Sequence, residues 1–108
     1  MYYVNMNQLL LNNQETIEKL CREFQVNELS VFGSAVTPDF NDSSDVDFLV
    51  EFDPEAHTGY LALFRLQRLF GEVLGRKVDL VSKGGLREPF KTAVLGSAIK
   101  IYGKKLAN

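Results

Sequence analysis

Three carboxylates in this 108-residue chain stand where the local pattern reads as strand. Asp45 and Asp47 open the run Asp45-Val46-Asp47-Phe48-Leu49-Val50, and Asp79 interrupts Lys77-Val78-Asp79-Leu80-Val81. Carboxylates two positions apart on a strand share a face, about 7 Å apart along the chain, so Asp45 and Asp47 can converge on one or two divalent ions. Magnesium takes oxygen ligands and is usually held by one or two carboxylates plus substrate phosphates. Two such ions about 3.5–4 Å apart hold the attacking and leaving oxygens of an in-line phosphoryl displacement. In that arrangement Asp45 and Asp47 hold both ions, and Asp79 completes one of them or takes the acceptor's proton. Ten residues separate Gly33-Ser34 from Asp45. An unhindered backbone with a hydroxyl beside it suits a phosphate. Metal and phosphate sites on one short loop point to nucleotide chemistry.

Other readings of the same residues were weighed. A lone D-x-D is ordinarily a turn or a solvated strand edge. An acidic calcium loop starting at Asp39 has alternating oxygens at Asn41 and Ser43. It fails because Ser44 replaces the turn glycine and Val50 replaces the closing glutamate. No G-x-x-x-x-G-K phosphate loop occurs. Cys21, the single cysteine, falls among Ile17, Leu20 and Phe24 and reads as a buried small apolar residue. His57 reads as a surface histidine after a turn. Arg65, Arg68, Arg76 and Lys77 form either a solvated face or a patch for a partner or for phosphates. Lys100, Lys104 and Lys105 read as solubilising. Tyr2 and Tyr3 are either interface anchors or part of a frayed terminus.

Positioning these groups takes a small set of elements. A helical period over about 9–24 places Leu10, Ile17, Leu20, Cys21 and Phe24 on one side, with Asn12 and Glu15 at capping-box spacing. Leu29, Val31 and Phe32 form a short strand that stops at Gly33-Ser34, and 38–44 is a polar loop. From Asp45 to Phe52 the period is two: Val46, Phe48, Val50 and Phe52 share one face, and Asp45, Asp47, Leu49 and Glu51 the other. Residues 58–74 read as the best helix, with Leu63, Phe64, Leu66, Phe70, Val73 and Leu74 inward and Gly75 as its stop. A third strand covers 77–81 and a helix 86–95. Residues 99–102 make a short closing strand or a helix end. The order predicts an α+β fold: a small mixed or antiparallel sheet flanked by helices, one domain over 1–108, with 1–8 as a flexible terminus.

Bulk composition narrows the class. Apolar residues make up 45% of the chain, enough for a small core. A net charge of −2 argues against direct nucleic-acid binding. No apolar run approaches the roughly 20 residues of a membrane span. The first residues lack the basic start and cleavage site of a signal peptide, so a cytoplasmic location is expected.

Gly33-Ser34, ten residues, then Asp45-Val46-Asp47 with a later Lys-Val-Asp-Leu-Val resembles the signature of the DNA polymerase β-like nucleotidyltransferase superfamily. More narrowly it resembles the minimal nucleotidyltransferase (MNT) domains, over roughly residues 10–102. The resemblance implies that Gly33 and Ser34 hold the triphosphate of ATP and that Asp45, Asp47 and Asp79 bind two magnesium ions. MNT proteins are commonly antitoxins paired with a helical HEPN ribonuclease. The implied reaction is transfer of AMP from ATP to a tyrosine hydroxyl of that toxin, with oligomers forming through the complex. One departure stands out: Thr37 occupies the place of an arginine in many members, so another base such as Lys83 or Arg76 must substitute, or catalysis is reduced. A non-catalytic antitoxin that works by occlusion is the alternative. Transfer to a small molecule such as an aminoglycoside is disfavoured, because it usually needs an added substrate domain.

Overall fold

The computed structural model describes residues 6–103. Helices α1 (Met6–Asn12) and α2 (Gln14–Glu23) lead into strand β1 (Val26–Phe32). A 3-10 turn over Gly33–Val36 and a loop connect it to β2 (Val46–Phe52). Helix α3 (Tyr60–Leu74) crosses over to β3 (Val78–Ser82), and α4 (Phe90–Ser97) precedes β4 (Ile99–Gly103). The sheet order is β3-β2-β1-β4. β1 runs antiparallel to β2 and β4, while β2 and β3 are parallel. The chain is thus α+β with a mixed sheet, as expected.

One sheet face carries Leu29, Val31, Val46, Phe48, Val50, Val78 and Leu80 into the main core, where Ile17, Leu20, Cys21, Leu66, Phe70 and Leu74 meet them. Phe48 and Phe70 pack edge to face with centroids 5.2 Å apart. Cys21 is fully buried, and that burial, with Glu18 nearby, pushes its thiol up to about 12. The other face is covered in its middle by α4: Phe32 and Leu49 pack with Leu86 and Val94. Asp47 and Asp79 share this second face, because each lies two residues from a side chain of that cluster or its margin, Leu49 and Val81. The period of two over β2 therefore holds, yet its carboxylate face is half core: Leu49 is only 4% exposed.

Several boundaries differ from expectation for identifiable reasons. The first helix is two helices, broken at Asn13, whose side-chain amide donates to the Leu9 carbonyl at 2.9 Å. This side-chain competition with the backbone ladder ends α1. The capping box does not form, since Asn12 Oδ1 accepts from Gln8 Nε2 at 2.7 Å instead. Residues 6–8 belong to α1 and not to a flexible terminus; Tyr2, Tyr3, Lys104 and Lys105 lie outside the described residues. Phe64, expected inward, is 58% exposed. At 3.6 residues per turn it sits about 200° from Leu66, which with Phe70 and Leu74 defines the buried stripe. Helix α4 starts at Phe90 because Pro89 disfavours helical backbone at Glu88. The Glu88 carboxylate then accepts from the Thr92 hydroxyl and N–H, which hold it below the usual carboxylate range. Residues 99–103 are a strand. Among the described residues no helix is long and apolar enough to cross a membrane.

Candidate active site

β1 ends with Phe32 in extended backbone, and the chain turns at Gly33 with φ +75°. Glycine is required there twice over. The left-handed φ strains any other residue, and a Cβ would collide with Oδ2 of Asp47. The Ser34 carbonyl closes the turn by accepting from both the Thr37 N–H (3.1 Å) and the Thr37 hydroxyl (2.8 Å). Thr37 thus caps the Gly-Ser turn and places no positive charge beside it. Ser34 itself is exposed.

The polar loop that follows is ordered by its own side chains. Asn41 Oδ1 accepts from the Ser43 N–H at 2.9 Å, and the Asn41 N–H donates to Ser44 Oγ at 2.9 Å. Asn41 Oδ1, a candidate oxygen in the calcium-loop reading, is thus committed to the backbone of its own turn. Arg76, just past the left-handed Gly75 that ends α3, donates from Nη1 to the carbonyls of Asn41 and Ser44, both at 3.0 Å. Its guanidinium lies 4.8 Å from the centroid of Phe40.

The carboxylates meet where β2 and β3 begin. The Val46 N–H donates to the Lys77 carbonyl at 3.0 Å, and the parallel register pairs Asp47 with Asp79. The antiparallel register sets Phe32, the residue before Gly33, opposite Asp47. Asp45 precedes β2 and is exposed. Burial pushes the Asp47 carboxyl up first; the charges of Asp79 and Asp45 and a hydrogen bond with Asp79 push it further, while Lys77 opposes them. A carboxyl raised by two like charges is a place where a cation would reverse the local balance. Among the described residues no three acidic, histidine or cysteine side chains already form a ready-made cation cluster. The donor set, all hard oxygens with Gly33 clearing space beside Asp47, fits magnesium.

Of the residues singled out, Gly33 backs against Asp47, Asp79 pairs with Asp47 in register, Asp45 acts on Asp47 through its charge from the strand's exposed start, and Ser34 lies on the adjoining turn. The proposed substitute bases do not join them. Lys83 lies at the opposite end of the strands, 3.9 Å from both Glu28 and Glu51, and Arg76 is engaged by the loop. Arg68 pairs with Glu72 at 3.5 Å, Lys100 with Glu28 at 3.4 Å, and His57 is exposed in a turn after β2. Of the basic stretch Arg65, Arg68, Arg76 and Lys77, it is Lys77, not expected as a substitute base, that faces Asp47 electrostatically. Its position two residues before Asp79 was the available signal.

This chain belongs to the nucleotidyltransferase domain family, whose model matches residues 14–106. It is 34% identical over 84 residues to protein adenylyltransferase MntA of Thermococcus cleftensis, covering 78% of this chain and 83% of that one. Its fold superposes with a TM-score of 0.73 on a structure described as a minimal nucleotidyltransferase, at 30% identity, covering 88% of this chain and 94% of that one. A toxin–antitoxin structure with AMP-PNP matches at a TM-score of 0.72 and 22% identity, over 86% of this chain and 75% of the other. A complex of MNT antitoxin with tri-AMPylated HEPN toxin from Shewanella oneidensis matches at 0.66 and 21%, over 87% and 72%. At these last identities the likeness carries the fold alone.

Proposed function

We propose that this chain is a magnesium-dependent protein adenylyltransferase that moves AMP from ATP to a tyrosine hydroxyl of a partner HEPN ribonuclease, acting as its antitoxin in the cytoplasm. The observation that carries the reading is the pairing of Asp47 with Asp79 in register, with Gly33 backed against Asp47. The adenylyltransferase relative supports the reaction class, and the choice of a HEPN toxin as partner follows the complex of an MNT antitoxin with a tri-AMPylated HEPN toxin whose fold this chain shares.

Asp45 and Asp47 would hold two magnesium ions and Asp79 would complete one of them. Magnesium there supplies neutralisation of the triphosphate and a lowered pKa for the acceptor hydroxyl. Gly33 lets the backbone approach the phosphates closely, and Ser34 offers its hydroxyl from an exposed turn. The acceptor oxygen bonds to the α-phosphorus, the bond to the bridging oxygen breaks, and pyrophosphate leaves. Asp79 would accept the phenol proton. Lys77 balances charge at Asp47.

One observation favours the alternative, a binding antitoxin without catalysis: the Thr37 hydroxyl is turned onto the Ser34 carbonyl, so this position gives the triphosphate no cation. Labelled ATP, magnesium and the partner toxin decide between the two. Label on the toxin that disappears with Asp47→Ala supports the enzyme. Neutralisation that survives both Asp45→Ala and Asp47→Ala, with no label transferred, sinks it.

A further inference from the structure

The loop between Ser34 and Asp45 carries one of the three carboxylates at its end, yet residues 37–45 belong to no strand. Its internal bonds, Asn41 to Ser43 and Ser44, span at most three residues and shape a turn without fixing where that turn sits. A clasp from outside the loop comes from Arg76, 35 residues from Asn41 and 32 from Ser44. We infer that Arg76 is a positioning residue for the metal site, holding the Phe40–Ser44 segment so that Asp45 stands beside Asp47. This inference rests on the function proposed above.

The geometry is that of a three-point hold. The two hydrogens of Nη1 reach two different carbonyls, Asn41 and Ser44, at 3.0 Å each, and the guanidinium plane covers the Phe40 ring at 4.8 Å. The second carbonyl belongs to the peptide that leads directly into Asp45. Arg76 is itself anchored by Gly75, whose N–H donates to Gly71 at 2.9 Å, and by its own N–H to the same carbonyl at 3.3 Å. Three residues later the chain reaches Asp79. One side chain therefore ties the Asp45 loop to the segment that leads into Asp79, on the loop side of the Val46 N–H to Lys77 carbonyl bond that joins β2 to β3. A lysine can reach a carbonyl with its ammonium, but it has no plane to lay over Phe40 and no fixed fork. Arginine at this position is required for aim, not merely for charge.

The experiment uses the full chain and a metal readout apart from catalysis. Mn2+ binding in the presence of AMP-PNP is followed by electron paramagnetic resonance for wild type, Arg76→Met, Arg76→Lys and Phe40→Leu, with a thermal melt of each. Groups that orient a metal's ligands typically contribute 10–100-fold to affinity, so Arg76→Met is expected to bind Mn2+ ~10-fold or more weakly. Arg76→Lys should recover only part of that loss, and Phe40→Leu, which keeps both carbonyl bonds, should lose roughly threefold. If Arg76→Met does not fold, Phe40→Leu carries the test. Mn2+ affinity equal to wild type in these variants, whatever their melting temperatures, overturns the inference, as does full rescue by lysine. A wild-type chain that binds no Mn2+ sinks the function reading and takes this inference with it; wild-type binding with unaffected variants sinks this inference alone.

Discussion

Gly33 and Asp47 constrain each other. The left-handed backbone at Gly33 costs a side-chain-bearing residue roughly 1–2 kcal/mol, and the added methyl group would also drive against the Asp47 carboxylate. Gly33→Ala is therefore expected to melt at least 4–8 °C lower, by the roughly 1 kcal/mol rule for a domain of this size. Displacing Asp47 should cost adenylyl transfer about 100-fold, the effect of a 1 Å misplacement of a reacting group. Melting and transfer assays on one preparation check both. Asp47 also makes a pH-dependent prediction for the metal-free chain. Its carboxyl is raised in the fold, so the folded state disfavours the ionised form, and stability falls as pH rises from the ordinary value of 3.8 through the folded one. Asp47→Asn removes that penalty and should melt above wild type at pH 7 in EDTA. Its advantage should vanish below pH 3.8, and magnesium with ATP should reverse the ranking at neutral pH. A variant no more stable than wild type at pH 7 in EDTA would show that Asp79 and Asp45 do not crowd Asp47.

The elements that carry the site followed from local pattern. β2 announced itself by its period of two, β3 by its apolar run around Asp79, and the end of α3 by Gly75. What escaped local pattern depends on partners distant in sequence. β1 begins at Val26, ahead of the apolar Leu29, because Val26 and Glu28 pair with Phe52 and Glu51 of β2 and Val26 is buried there. Thr37 looked like a missing arginine, and only the closed turn shows it capping Ser34. The loop looked merely polar because its clasp comes from Arg76, more than 30 residues away. Helix α3 shows the limit of counting apolar residues, since Phe64 and Phe70 are alike in type and opposite in placement. Phe70 is fully buried against Phe48, so Phe70→Ala should cost about 3–5 kcal/mol. Phe64→Ser should stay within about 0.5 kcal/mol, as surface substitutions usually do. Urea denaturation of the pair tests this. Equal losses would mean that Phe64 is covered in the folded protein.

Across the whole molecule, the sheet face beneath α4 has two charged ends with an apolar middle. At one end Asp45, Asp47 and Asp79 crowd together with Lys77 as counter-charge. At the other, Glu28 and Glu51 are direct cross-strand partners, a like-charge arrangement that is unfavourable on its own. There Lys83 bridges the two carboxylates, Lys100 reaches Glu28, and the Asn27 amide donates to Glu51 at 2.9 Å. The two ends thus resolve the same repulsion differently. The far end is balanced by the chain's own cations, while at the aspartate end burial first, and then the charges of Asp79 and Asp45, hold Asp47 raised despite Lys77. This asymmetry separates a structural cluster from one suited to an added cation, and it assigns the two lysines different work. Lys83→Ala should cost about 1 kcal/mol, the scale of a partly exposed ion pair, and leave transfer within twofold of wild type. Lys77→Ala should push the Asp47 carboxyl further up, lower transfer and move the acidic limb of its rate–pH profile to higher pH. Rate–pH profiles of the two variants distinguish these roles. A transfer defect in Lys83→Ala with none in Lys77→Ala would make Lys83, not Lys77, the base that serves in place of the arginine absent at Thr37.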